Sequence, residues 1–183
     1  MKFTPATIEG VVVVDIERRV DERGFFARQW CADEMQRAGL DPRLAQINTS
    51  RSTSAGTLRG IHFQRPPHME VKLVRCVRGA VFDVAVDLRP ASKTYCQWAG
   101  FELNAEDGRM LYIPEGCGHG FLTLTPDADL VYQTSIPYAG ASASGVRHDD
   151  QAFGISWPRE IAVISSQDQN WPAYDKTRAT AGV

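Results

Sequence analysis

Val71-Lys72-Leu73-Val74-Arg75-Cys76-Val77 and Ala80-Val81-Phe82-Asp83-Val84-Ala85-Val86-Asp87-Leu88 are two runs rich in valine, separated only by Arg78-Gly79. Their β-branched content and the turn signal between them predict two strands joined as a β-hairpin. Working outward, turn signals recur at Glu9-Gly10, Arg23-Gly24, Asp41-Pro42, Asp107-Gly108, Pro114-Glu115-Gly116 and Pro126-Asp127. Between them, Leu111 to Ile113, Gly120 to Thr125 and Leu130 to Ser135 read as further strands. So many short strands favour a mainly β sandwich or barrel over a βαβ plan. One helix is expected, over Ala32 to Ala38, with Asp33 and Glu34 in its first turn, Arg37 in its last and Gly39 as its stop. The small residues of Ala139 to Gly145 predict a flexible surface loop, and the tail over 172–183 is expected to be loosely held.

The chain has 183 residues, 43% of them hydrophobic, with 20 Lys+Arg against 22 Asp+Glu and a formal charge of −2. This is the balance of one ordinary globular domain, neither disordered nor membrane-embedded. Without a block of like charge, nucleic acid and membrane surfaces are not expected as partners, and the implied ligand is small. Cys31, Cys76, Cys96 and Cys117 are scattered, which fits neither a zinc-site spacing nor a disulfide framework and suggests a reducing, cytoplasmic setting. No segment approaches the roughly 18 apolar residues of a spanning helix.

Alternation sorts the polar residues by face. In Leu58-Arg59-Gly60-Ile61-His62-Phe63-Gln64, His62 and Gln64 share one face of the strand and Ile61 and Phe63 the other. Lys72 and Tyr132 also sit singly on apolar strands. Taken one at a time, such residues are more often core or rim residues than catalysts. Their co-occurrence with Arg59, and with His119 in Pro114-Glu115-Gly116-Cys117-Gly118-His119-Gly120, marks a candidate site.

These segments, from Thr57 to Gln64, Lys72 to Arg75, Asp83 to Arg89 and Ile113 to Phe121, resemble successive signatures of the dTDP-4-dehydrorhamnose 3,5-epimerase family. So do Asp21 to Phe26, Gln46 to Ser50 and Gly154 to Pro158, in family order from about Ile8 to Pro172. The resemblance implies a cupin jelly roll over 1–183, with an arm over about 1–30 at a homodimer interface, and no metal or organic cofactor. It implies that His62 is the base, Asp168 its orienting carboxylate, Tyr132 the proton donor and Lys72 the cation that stabilises an enolate. The substrate would be a nucleotide-diphosphate sugar with a 4-keto-6-deoxy ring, inverted at C3, C5 or both. Arg59, His119 and Lys72 would hold the diphosphate, with Arg23 reaching in from the partner subunit. Phe26, Arg28, Gln46 and Asn48 would contact the nucleotide, and Tyr138 would stack on the base.

These residue types suit that chemistry. A proton beside a ketone is lost only if the negative charge on oxygen is stabilised, so the site needs a base for carbon and a cation for oxygen. Histidine ordinarily titrates near neutrality, and a carboxylate on its second nitrogen fixes the tautomer.

The sequence departs from the family pattern at Arg28, where an acid is usual, and at Tyr138-Ala139-Gly140-Ala141-Ser142-Ala143, where two acids are lost. Both departures predict an altered nucleotide contact. Two other readings stay open. One is a metal-dependent cupin using His62, Gln64, Glu70 and His119. The other is a non-catalytic sugar-nucleotide-binding cupin.

Overall fold

The two valine-rich runs are strands, but they do not pair with each other. The structure, a computed structural model, describes residues 1–176. In chain order it contains β1 (Lys2–Pro5), β2 (Val12–Asp15), β3 (Arg19–Asp21), β4 (Gly24–Phe26), α1 (Ala32–Arg37), β5 (Gln46–Ser52), β6 (Thr57–Gln64) and β7 (Lys72–Arg78). There follow β8 (Ala80–Asp87), β9 (Trp98–Asn104), β10 (Met110–Ile113), β11 (Cys117–Thr123), β12 (Ala128–Thr134), β13 (Ala143–Gly145), β14 (Val163–Ile164) and α2 (Ser166–Gln169). One sheet has the order β1-β2-β10-β7-β12-β5 and the other β13-β6-β11-β8-β9, with β14 added beside β6.

The expected hairpin is therefore corrected. β7 bonds to β10 and β12, β8 bonds to β9 and β11, and the chain changes sheets at Gly79. Gly79 has φ +70°, and a Cβ there would run into the Thr125 hydroxyl, so only glycine fits this corner. The Cys76 thiol donates to the Arg78 and Gly79 carbonyls at 3.0 and 3.3 Å and closes the corner from inside. Both runs are nearly continuously apolar because both faces of each strand are covered.

Between the sheets lies a core that includes Val74, Cys76, Val81, Ala85, Leu103, Leu111, Phe121 and Leu130. A second cluster, with Val14, Leu73 and Met110, covers the outer face of the first sheet, and a third, with Ile61, Val84 and Phe153, covers that of the second. Helix α1 lies where expected, and the Gly39 and Leu40 amides close its C-terminus on the Gln36 and Met35 carbonyls at 3.0 and 2.9 Å. Six residues make too short a helix to stand alone. Met35, 1% exposed, docks it on the second cluster, a burial that contributes about 1.5–3 kcal/mol.

The segment expected as a flexible loop at 139–145 is held in place instead. Ala143, Ser144 and Gly145 pair with Gln64, Phe63 and His62. Ser142 and Ser144 are buried, against His68 Nδ1 at 2.9 Å and an Arg65 guanidinium nitrogen at 2.8 Å. Within the tail, the Tyr174 amide donates to Asp150 at 2.7 Å and its ring packs on Phe153, while 177–183 lie outside the described residues. No helix among the described residues is long and apolar enough to cross a membrane.

Candidate active site

The strands deliver their polar inner residues to two adjoining basins of about 570 and 430 Å³. His62 of β6, Lys72 of β7, Tyr132 of β12 and Gln167 of α2 line both. Arg59, His119 and Asp168 line only the larger basin, while Gln46, Asn48, Gln64, Glu70 and Tyr138 line only the smaller.

His62 is placed by a close approach of backbones. Gly60, at φ +126°, lies so near Gly120 that a side chain on it would meet the β11 backbone. The β6–β11 register shifts between His119 and Phe121, and His119 stands opposite His62. The Gly60 amide donates to Asp168 Oδ2 at 3.2 Å, and Asp168 Oδ1 lies 2.6 Å from His62 Nε2. A carboxylate only accepts, so Nε2 carries a proton and, in the neutral ring, Nδ1 carries the lone pair. Asp168 is fixed by its own helix, its amide donating to the Ser165 hydroxyl at 3.1 Å. Burial alone would raise the Asp168 carboxyl. The hydrogen bond and charge of His62, with the Gly60 amide and Ser165 hydroxyl, outweigh it and hold the group below its usual value.

Lys72 is 11% exposed. Its Nζ lies 3.2 Å from Glu70 Oε1 and donates to the His62 carbonyl at 3.4 Å. The Tyr132 phenol is pushed up, first by burial and then by the charge of Glu70, with Arg59 acting in the opposite direction. It therefore stays protonated at neutral pH. The Arg59 guanidinium is tied to the Ser52 hydroxyl at 3.1 Å and the Arg51 carbonyl at 2.9 Å. His119 Nε2 donates at 2.8 Å to Asp83, which is completely buried.

At the smaller basin, Gln46 Oε1 accepts the Tyr138 amide at 2.7 Å, leaving the Tyr138 ring 70% exposed. Three expected residues are not brought to either basin by this chain. Arg23 and Phe26 lie on the exposed β3–β4 ribbon, Arg23 paired with Asp21 at 2.5 Å, and Arg28 is paired with Glu34 at 2.8 Å. Sequence reasoning missed Ser165, Gln167 and Trp171 as wall residues, and Asp83 behind His119. Only Asp83 carried a signal, an acid with apolar neighbours on both sides within a strand.

The residues of the metal reading are engaged elsewhere: His62 with Asp168, His119 with Asp83, and Glu70 with Lys72 and Gln64. Among the described residues, no three His, Cys, Asp or Glu side chains gather as a metal-binding group.

A family model described as dTDP-4-dehydrorhamnose 3,5-epimerase matches residues 5–176. The chain belongs to this family. Its curated relatives include the dTDP-4-dehydrorhamnose 3,5-epimerase of Sinorhizobium fredii, 40% identical over 174 residues that cover 94% of this chain and 89% of that one. The dTDP-4-dehydrorhamnose 3-epimerase of Streptomyces niveus is 43% identical, over 93% and 82% of the two chains. Among solved structures, dTDP-6-deoxy-D-glucose-3,5-epimerase of Legionella pneumophila in complex with dTDP-4-keto-L-rhamnose superposes with a TM-score of 0.85. It is 36% identical, over 91% of this chain and 89% of that one. The fold is cupin-like, and the protein is a sugar-nucleotide epimerase, an isomerase acting on carbohydrate.

Proposed function

We propose that this epimerase inverts one or both of the carbons flanking the ketone of a nucleotide-linked 4-keto-6-deoxy sugar, with His62 as base and Tyr132 as acid. The observation that carries this reading is that the two residues come from opposite sheets and share both basins. His62 Nδ1 removes the proton on one face of the sugar, its Nε2 proton held by Asp168. The Lys72 ammonium stabilises the enolate oxygen. Tyr132 then returns a proton from the other face, whereas a base acting alone would return it to the face it left. Arg59 and His119 hold the diphosphate in the larger basin, where the planar guanidinium matches phosphate oxygens. Tyr138 takes the base beside Gln46 and Asn48. No metal or organic cofactor has a part in this scheme.

Incubating dTDP-4-keto-6-deoxyglucose with the enzyme in D₂O tests the reading, with products followed by NMR. Deuterium appears beside the ketone and the configuration there inverts. Absence of exchange across a panel of nucleotide-linked keto sugars would favour a binding protein.

The site is proposed to be completed in a homodimer. The β3–β4 ribbon exposes Val20, Phe25 and Phe26 at 77, 55 and 66%, and Ile47 and Val77 are exposed on the first sheet. Exchange of this ribbon would bring Arg23, Phe26 and Arg28 to the partner's nucleotide. A fully active monomer at assay concentration would contradict this arrangement.

The nucleotide contact is proposed to differ from the family pattern, because Arg28 offers donors where an acid is usual and Ala143, where an acid is also usual, lines the smaller basin. Calorimetric titration with dTDP, UDP and GDP decides it, and clear preference for dTDP removes the idea.

A further inference from the structure

Glu70 has no role in the scheme above, yet it is a carboxylate only 10% exposed on the wall of the smaller basin. A buried carboxylate is costly unless its oxygens are matched. Here one oxygen meets the Lys72 ammonium at 3.2 Å and the other accepts from Gln64 Nε2 at 3.3 Å. Gln64 is itself pinned, because the same amide nitrogen donates to the His68 carbonyl at 3.1 Å and its oxygen accepts the Ala139 amide at 2.6 Å. The carboxylate thus stands on a rigid mount, between the proposed enolate-stabilising cation and the basin wall that Tyr132 shares.

We infer that Glu70 is a positioning residue for the epimerisation, its carboxylate anchoring the Lys72 ammonium on the wall of the basin that both share with Tyr132. The inference rests on the proposed roles of Lys72 and Tyr132. Its logic is one of compensation. The ionisable groups that line the basins with Tyr132 are Arg59 and His62 of β6, Lys72 of β7, His119 of β11, Asp168 of α2, Tyr138 and Glu70 itself. Cations suited to a diphosphate also favour loss of a phenolic proton, and Arg59 acts on Tyr132 in that direction. Glu70 opposes it from the wall of the smaller basin, which neither Arg59 nor His119 lines.

The test is the pH profile of inversion, read beside solvent-deuterium exchange. Glu70→Gln keeps the length and one oxygen but removes the charge. Its alkaline limb moves to lower pH by about half a unit or more, and at high pH exchange persists while inversion fails. Glu70→Asp keeps the charge but withdraws it from Lys72. Its limb stays near that of wild type while kcat falls severalfold. A Glu70→Gln enzyme with wild-type kcat and limb would overturn the inference. Should that variant not fold, ultraviolet difference titration of wild type against Tyr132→Phe isolates the one phenol. Because burial raises this phenol with or without Glu70, a midpoint lower in Glu70→Ala than in wild type supports the inference, and an unchanged midpoint overturns it. Wild type that neither exchanges nor inverts any keto sugar would instead sink the parent reading, leaving the phenol titration to judge Glu70.

Discussion

Asp168 accepts the Nε2 proton of His62 at 2.6 Å with one carboxylate oxygen and the Gly60 amide at 3.2 Å with the other. One side chain near the C-terminus thus fixes both the ring and the backbone of the strand that carries it. In Asp168→Asn the amide can offer its NH₂ to His62 and favour the wrong tautomer. Exchange and inversion fall by about 10²-fold or more at neutral pH. Near-wild-type exchange would remove Asp168 from its orienting role.

The same contact sets a pH dependence of stability. The folded Asp168 carboxyl lies below its unfolded value of about 4, so it binds a proton less readily folded than unfolded. Its stabilisation is complete above the unfolded value and drains away as pH falls through the folded one. Urea unfolding of wild type and Asp168→Asn at pH 7 and pH 3 checks this. The stability gap between them narrows at the lower pH.

Tyr132→Phe separates the two half-reactions. Loss of the acid leaves His62 and Lys72 in place, so deuterium still enters beside the ketone while inverted product drops by about 10²-fold. NMR of the recovered sugar nucleotide reads both, and complete loss of exchange would mean that Tyr132 acts before the enolate forms.

Gly79→Ala places a Cβ against the Thr125 hydroxyl at a positive-φ corner. The cost is about 1–3 kcal/mol, measured by chemical denaturation, with kcat unchanged in the folded fraction. A variant as stable as wild type would show that the corner relaxes.

All four cysteines are free. Burial pushes the Cys76 thiol up to about 11 and that of Cys117 up to about 12. A neutral thiol reagent therefore labels at most Cys31 and Cys96 in the native protein, and all four in denaturant. Mass mapping of the native adducts distinguishes the sites.

The strands β6, β7, β8, β10, β11 and β12, the helix α1 and the lone polar side chains on those strands were legible because each rests on local pattern. The partner of a strand does not. Arg78-Gly79 reads the same whether the chain folds back beside β7 or crosses to the opposite sheet, and only the covering of both faces decides. Likewise the small residues at 139–145 look like slack when read alone. They are small because Trp171 lies against Gly145 and because Ser142 and Ser144 take up His68 and Arg65. His62, Lys72 and Tyr132 stood out as lone polar residues on apolar strands, and the family resemblance supplied their roles and added Asp168, whereas Glu70 and Asp83 act through neighbours that only the folded chain supplies.

The sheet change at Gly79 is one of several, for β5, β6, β7 and β8 fall alternately in the two sheets. A contiguous fragment that spans any two neighbouring strands of this set therefore contains parts of both sheets. His62 and Lys72 are near in sequence yet face each other only once the sheets have closed, and Asp168 arrives from 106 residues beyond His62. Such non-local closure is slow to form. In refolding, turnover would be the last signal to recover, after secondary structure and burial have returned, which makes catalysis itself the most stringent probe of complete topology.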